Sequence, residues 1–492
     1  MLKRKNIAII GCGISGLTAA CLLANQGHYV SIYEKNNQPG GCCSFTKRSN
    51  TLLNWGADYL TDPNPLRDVF ESINIDFNSM INLIPIEPNI RYISNNDSFD
   101  YETNESLLIK KIEAINPEDR DNFIKLKRKY QDIFTTFSDL QDINHSNIEK
   151  RINIPAKLFI EKKYPNIYKL TNGIIKNNFL MKAFSYHPLF IGSDPKSTNY
   201  FHQFNPFLSK GQQLYYPIGG INSVVQNLVK ISIDLGVKIF YNSSVSEIMA
   251  KNHKVIGIRL IDGNLIPVDT VISSADIVYT VNNLLPTQYR DKIINKPYKA
   301  SDHSSSLFIF TIITSKKYDN QELTQHNIII DGDLSNFSED LFRKHKLSTD
   351  NIFTLNIPTL NDHSLAPENY DIIKVSLPVP NLSANLDWSK NTWLLRNQII
   401  NYLESRYFDS LSSNIVYEDH ISPVKFSHSY NYQFGSPFSL QPNNEQIFTK
   451  RPASPINILH GFYLIGNGTH PGPGINFVIT SAKIICNMIN AT

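Results

Sequence analysis

Asn6-Ile-Ala-Ile-Ile10 runs directly into Gly11-Cys12-Gly13-Ile14-Ser15-Gly16, and a further apolar stretch ends at Gly27 before Tyr29-Val-Ser-Ile-Tyr33-Glu34. The first run is short, apolar and rich in β-branched residues, which predicts a buried parallel strand. Leu17 to Gln26 predicts a helix closed by Gly27, and Tyr29–Tyr33 predicts a second strand ending on an acid. One strand–helix–strand unit therefore opens the chain, and it points to an α/β, Rossmann-type fold that binds a dinucleotide. Each position has a physical task. Gly11 permits the tight turn, Gly13 lets backbone N–H groups approach a pyrophosphate, and Gly16 allows helix and strand to pack closely. Ile14 and Ser15 stand at the helix N-terminus, whose partial positive charge favours phosphate. Glu34 accepts hydrogen bonds from ribose hydroxyls and disfavours a 2′-phosphate, so NADP is not expected.

Outward from this unit, 492 residues predict two or three domains. The charge balance of 47 Lys+Arg against 44 Asp+Glu leaves a net +3, which excludes a nucleic-acid footprint. Only 18% of residues are charged, against about a quarter in a typical chain, and 41% are hydrophobic. Large apolar interiors or grooves follow. The five cysteines (Cys12, Cys21, Cys42, Cys43 and Cys486) are odd in number and lack zinc-ligand spacing. No metal site and no disulfide framework is expected, and a cytoplasmic setting is. Lys3-Arg4-Lys5 before an apolar stretch imitates a signal peptide, but the regular glycines identify a nucleotide turn. No uninterrupted apolar run is long enough to span a bilayer.

Further pieces of a dinucleotide site recur downstream. Tyr216-Pro-Ile-Gly219-Gly220 leads into an amphipathic helix predicted over Ile221–Leu235, followed by strands over Gly236–Phe240 and Ser244–Ile248. Val255–Leu260 and Leu265–Val268 form a hairpin turning at Asp262-Gly263-Asn264. Asp269–Asp276 returns as a buried strand. Near the C-terminus, Phe462–Ile465 is a strand, Gly466-Asn-Gly-Thr-His470-Pro-Gly-Pro-Gly474 a glycine loop, and Ile475 to Met488 a helix. A second positive helix end is thereby offered to a cofactor. Between these pieces, Glu105 to Gln203 is helical and Lys-rich, as in Asn122–Tyr130, with breaks at Pro155 and Pro165. No Ser-His-Asp, Cys-His or paired-carboxylate arrangement for hydrolysis stands out.

After Glu34, Lys35 to Pro39 leads to a second glycine pair, Gly40-Gly41. From Gly11 to Gly41 the chain resembles the flavoprotein superfamily of amine oxidases, carotenoid desaturases and Rab GDP-dissociation inhibitors. Many members carry Arg after the glycine pair; this chain has Cys42-Cys43-Ser44-Phe45, a small-residue version similar to the retinol-saturase and carotenoid-isomerase branches. The loop 466–474 and the following Ser481-Ala482-Lys483 closely resemble the signature of bacterial carotenoid desaturases. Phe184–Pro195, Asp362–Glu368, Phe434–Phe438, Gln446 and Arg451-Pro452 also look like desaturase segments. The match is poorest at Leu53-Asn-Trp-Gly-Ala-Asp58, where desaturases commonly have Asp-x-Gly-Pro-Thr. Gly56 is kept there, while Asn54, Ala57 and Asp58 stand elsewhere.

The resemblance implies a glutathione-reductase-like FAD domain (1–75, 206–285 and 455–492), an α+β substrate domain (76–104 and 286–454) and a helical, membrane-facing subdomain (105–205). It implies FAD as cofactor, with Lys35, Gly40, Gly41, Cys42, Gly56, Val245, Gly466, Asn467, Gly474, Ile475 and Val478 joining the N-terminal contacts. The activity implied is desaturation of a long apolar carotenoid precursor of the phytoene or diapophytoene type, by hydride transfer from an allylic carbon to flavin N5. His470, beside the flavin loop, and Asp58 are the candidate catalytic residues. Against chemistry, His470 can order its loop and Asp58 can cap the turn at Thr61-Asp62-Pro63. His187 packs or caps. Expected partners are a long isoprenoid or polyene, an anionic membrane surface touched peripherally, and oxygen or a quinone as electron acceptor. Rival readings are a flavin-dependent polyene isomerase or saturase, a non-catalytic lipid-binding relative, and an amine oxidase.

Overall fold

The computed structural model describes residues 4–491 except 49, 96, 142–165, 199–212, 294–297, 319–320, 444–450 and 453–457. Pro155, Pro165 and Gln446 lie outside the described residues. The strand Asn6–Ile10 sits at the centre of a five-stranded sheet in the order Phe462–Leu464, Thr270–Ser273, Asn6–Ile10, Tyr29–Tyr33, Lys238–Phe240. All four pairings are parallel. Side chains alternate across the sheet. Ile7 and Ile9 enter a core shared with three helices, Ile14–Asn25, Ile221–Asp234 and Ile475–Ala491, whereas Ala8 and Ile10 enter a core under a three-stranded antiparallel layer. That layer comprises Val245–Lys251, Lys254–Leu260 and Leu265–Pro267.

The helix Ile14–Asn25 is buried at every position from Ile14 to Leu23. A helix packed on all sides must be apolar on all sides, which explains its likeness to a secretory leader. It begins at Ile14, three residues before the helical pattern read from Leu17, because the last glycine of the loop already has helical backbone. Cys21 and Cys486 are buried thiols in this core, directed at the carbonyls of Leu228 and Ala19 on neighbouring helices.

A second unit is built on a seven-stranded mixed sheet ordered Ile415–Ile421, Ser306–Thr314, Asp371–Val379, Asn351–Asn356, His326–Asp331, Ile90–Ser94, Asp97–Tyr101. Its core continues into the helices Glu105–Ile115, Pro117–Gln141, Ile167–Asn172 and Asn178–Ser185. Phe77 and Ile81 pack in the nucleotide-side core and Ile86 in the sheet core. By packing, then, the chain crosses between units after residue 81 rather than at 75. Tyr289, likewise, packs on the nucleotide side. In the Lys-rich helix Pro117–Gln141, Phe123, Leu126 and Tyr130 are buried, and Lys127 reaches Glu105 at 2.6 Å.

Asp119 ties the helical segment together. Its fully buried carboxylate accepts from the backbone N–H groups of Lys176 and Asn177 (both 2.7 Å) and from the amides of Asn116 and Asn122. Burial pushes this carboxyl up, but the four donors outweigh it and hold it below the usual carboxylate range. A depressed folded-state value adds stability above the unfolded carboxylate pKa of about 3.9, and that stability is lost as pH falls through the folded value. Asp119→Ala is expected to cost about 3 kcal/mol at neutral pH, seen as a lower melting temperature. The gap to the parent protein should close as melts are repeated below about pH 4.

Candidate functional site

Parallel strands place their carboxyl ends on one edge, where ligands of open α/β sheets bind. Across that edge, Gly466 follows the last strand, Ser274 the strand 270–273, Gly11 the central strand and Glu34 its neighbour. All four line one cavity of about 900 Å³. Ser274 staples the edge, its hydroxyl donating to the carbonyls of Ile10 (2.9 Å) and Gly11 (3.1 Å).

The glycines divide by task. Gly16 does not line the cavity; a Cβ there would lie 2.3 Å from the Gly11 carbonyl oxygen, so its task is packing and not cofactor contact. Gly13 has an ordinary φ of −79° and a Cβ would meet nothing nearer than the Gly40 oxygen at 4.0 Å. The fold does not require glycine at 13. The open space beside it belongs to the cavity, and the helix that starts there has no side-chain cap and no acid in its first turn. Those N–H groups, with Ile14 and Ser15 on the wall, suit a phosphate.

Glu34 is buried, and its two oxygens accept the backbone N–H groups of Cys12 and Asn36, each at 2.8 Å. Burial raises its carboxyl while those bonds oppose the rise. Each oxygen keeps a second lone pair for a ribose hydroxyl. Val245 lines the same cavity. Lys35 lines it too, and its ammonium is held by the His428 carbonyl and Asn431 Oδ1, both at 2.7 Å, at the end of the helix Pro423–Tyr430. A cation at a helix C-terminus needs no phosphate to hold it.

The second glycine pair folds against the first, with the Gly40 N–H donating to the Cys12 carbonyl at 2.8 Å. Gly40, Gly41 and Cys42 line the cavity. Gly56 packs against this turn so tightly that a Cβ would sit 2.6 Å from the Cys42 oxygen. Burial pushes the Cys42 thiol up to about 12 and Cys43 to about 11, so neither supplies a thiolate nucleophile at neutral pH. The C-terminal loop and helix add Asn467, His470, Gly474, Ile475 and Val478 to the lining. Asn467 donates to the Pro437 carbonyl at 3.0 Å, and its own carbonyl accepts from buried Arg451 at 2.5 Å. The His470 N–H donates to the Pro452 carbonyl at 3.2 Å, which orders the loop. The sequence showed Arg451-Pro452 only as a family likeness; its work is to brace the glycine loop.

Beyond the glycines the cavity widens against one face of the seven-stranded sheet. Alternate residues Leu307 and Ile309, Ser376 and Pro378, and Thr354 present this face, with Tyr59, Tyr186, Phe190 and Phe438 opposite. Tyr59 stacks on Phe190 (5.9 Å between centroids) and meets buried His326 edge-on at 4.8 Å. His187 bonds the Tyr92 hydroxyl at 2.9 Å, and burial pushes its imidazole down to about 3, so it is neutral and structural.

One element went unread in the sequence. Lys374, nearly fully buried, donates to the Gly56 carbonyl at 2.5 Å and to Asp58 Oδ1 at 2.7 Å. Asp58 is therefore no turn cap; Asp62 serves that turn, accepting the Asn64 N–H. The available signal was a single cation inside the apolar strand Ile372-Ile-Lys-Val375. Among the described residues no cluster of three His, Cys, Asp or Glu is arranged to hold a metal.

Comparison with known proteins agrees with this geometry. Residues 9–73 match the family model of an NAD(P)-binding Rossmann-like domain. The chain is 28% identical over 488 residues to a lycopene-forming phytoene desaturase of Pseudescherichia vulneris, covering 99% of both chains. It is 28% identical over 491 residues to a 4,4′-diapophytoene desaturase of Staphylococcus haemolyticus, covering 97% of both. Among solved structures, an oxidoreductase from Methanosarcina mazei superposes with a TM-score of 0.67 at 15% identity, covering 98% of this chain and 99% of that one. Putrescine oxidase bound to putrescine gives 0.64 at 13%, covering 100% of both. These structures are similar in fold.

Gly13→Ala is expected to leave the melting temperature nearly unchanged while the purified protein loses its visible flavin absorbance. Gly16→Ala should lower both, since its Cβ has no room.

Proposed function

We propose that this relative of the phytoene and diapophytoene desaturases is an FAD-dependent oxidoreductase that introduces carbon–carbon double bonds into a long apolar carotenoid precursor. The observation that carries the reading is the single cavity in which a dinucleotide cradle opens directly onto an apolar chamber. When bound, FAD supplies a two-electron acceptor for hydride from an allylic carbon. Gly13, Ile14 and Ser15 leave room and N–H donors for its pyrophosphate, Glu34 accepts from its ribose, Val245 flanks its adenine, and Gly41, Gly56, Asn467, Gly474 and Ile475 form the walls about its flavin.

The protein's remaining tasks are to bind, orient and keep out water. A hydrocarbon is held by area alone, at about 0.8 kcal/mol per buried CH₂, and the sheet face with Phe190, Ile191 and Phe438 offers that area. Conjugation stabilises the charge developing at an allylic carbon, so one modest base suffices. Asp58, the partly buried carboxylate on the wall next to Gly56, is the proton acceptor, and His470 positions the C-terminal loop. The final oxidant is oxygen or a quinone. No helix among the described residues is long and apolar enough to cross a membrane, and an insoluble substrate requires delivery. Peripheral contact with an anionic membrane through the Lys-rich helical segment meets that need.

Expression in a pigment-free host that makes phytoene or diapophytoene is expected to yield coloured products with longer conjugation. Isomers or saturated products without new double bonds would point instead to an isomerase or saturase. In flotation, the purified protein should rise with anionic liposomes and stay behind with neutral ones.

A further inference from the structure

The register of the large sheet places polar residues in one row. His326 lies opposite Asn356, Asn356 opposite Lys374, Lys374 opposite Thr311, and Thr311 opposite Asp419. Directly paired residues share a face. The next two rows on that face are Thr354, Ser376 and Ile309, then Pro378 and Leu307, which line the cavity. The polar row thus underlies the segment Gly56–Tyr59, where this chain departs from the usual desaturase pattern. Lys374 bonds that segment twice, at Gly56 O and Asp58 Oδ1, so Asp58 Oδ2 remains for other partners. Asp58 lines the main cavity and also a chamber of about 20 Å³ shared with Lys374, Thr311 and Asn356. In that chamber Thr311 Oγ1 and Asn356 Oδ1 are buried without a hydrogen-bond partner among the described residues. Its size and the polar groups of Asp58, Thr311, Asn356 and Lys374 on its wall suit one water.

We infer that Lys374 is a positioning residue for the reaction: it holds the Asp58 carboxylate on the cavity wall, so that Oδ2 takes the substrate proton and gives it up to water after each turnover. The inference rests on the desaturase reading above. The C–H bond that gives up its proton breaks heterolytically and its electron pair becomes the new π bond. The proton forms an O–H bond at Oδ2, and the hydride lost by the adjacent carbon is the two-electron oxidation for which FAD is the oxidant. The ionisable groups around Asp58 are Lys374, Cys43, Tyr59, Tyr216 and His326. Lys374 alone among them brings a positive charge into hydrogen-bond contact with the carboxylate.

The test uses purified holoenzyme. Asp58→Asn should retain flavin and KM while kcat falls by about 10²-fold or more, and Asp58→Glu should recover part of it. Lys374→Met should retain flavin and KM while kcat falls about 10-fold or more, because Oδ2 is no longer held toward the substrate, and Lys374→Arg should recover part of it. Asp58→Asn/Lys374→Met should lose no more than Asp58→Asn alone, since Lys374 acts through that carboxylate. That double variant has no unpaired charge, and it carries the kcat test if Lys374→Met does not purify. Wild-type turnover in Asp58→Asn or in the double variant overturns the inference, as does wild-type kcat in Lys374→Met. In those outcomes the parent enzyme still desaturates. A parent protein that binds flavin and desaturates no polyene instead sinks the functional reading itself.

Discussion

The structure depends on the parallel pairing of three strands taken from residues 6–10, 270–273 and 462–464. Ile10 lies level with Ser273, and Ser273 with Leu464, so the turns that leave these strands emerge at one height. The Ser274 hydroxyl, bonded to two carbonyls of the first turn, locks that alignment. A shift of one residue would reverse the facing of every side chain in a strand and would also break the row of turns on which a cofactor can lie. Register and ligand site are in this sense one constraint.

The second unit is attached to the first through a charge pair. Burying Lys374 and most of Asp58 takes the pair largely out of water, and such pairs add little net stability over well-packed apolar residues. Stability therefore does not account for a cation in the middle of an otherwise apolar strand. Its position does: the ammonium spans from the large sheet to the segment that packs on the second glycine pair. The substrate-side sheet and the cofactor-side loops are held in one geometry by a few short hydrogen bonds.

Legibility in the sequence followed sequence distance. The N-terminal unit, the 255–267 hairpin and the C-terminal loop were readable because each is local: a period, a turn residue, a glycine spacing. The places of Gly13 and Gly16 in the motif already assign the first to the ligand and the second to packing, and the room for a Cβ divides them the same way. The partners of the Lys35 ammonium, His428 and Asn431, could not be read because they arrive from nearly four hundred residues away. Asp58 was singled out as an acid in an unusual segment, but its partner Lys374 could not be. The polar row that contains Lys374 exists only once five strands are in register, and no pattern within one strand encodes it.

The strand order also bears on biosynthesis. The central strand is made long before its outer companion 462–464 and the helix 475–491. Until residues 475–491 are made, the apolar helix 14–25 lacks one of the helices that cover it. The part of the cavity that residues 466–478 supply is likewise late to form.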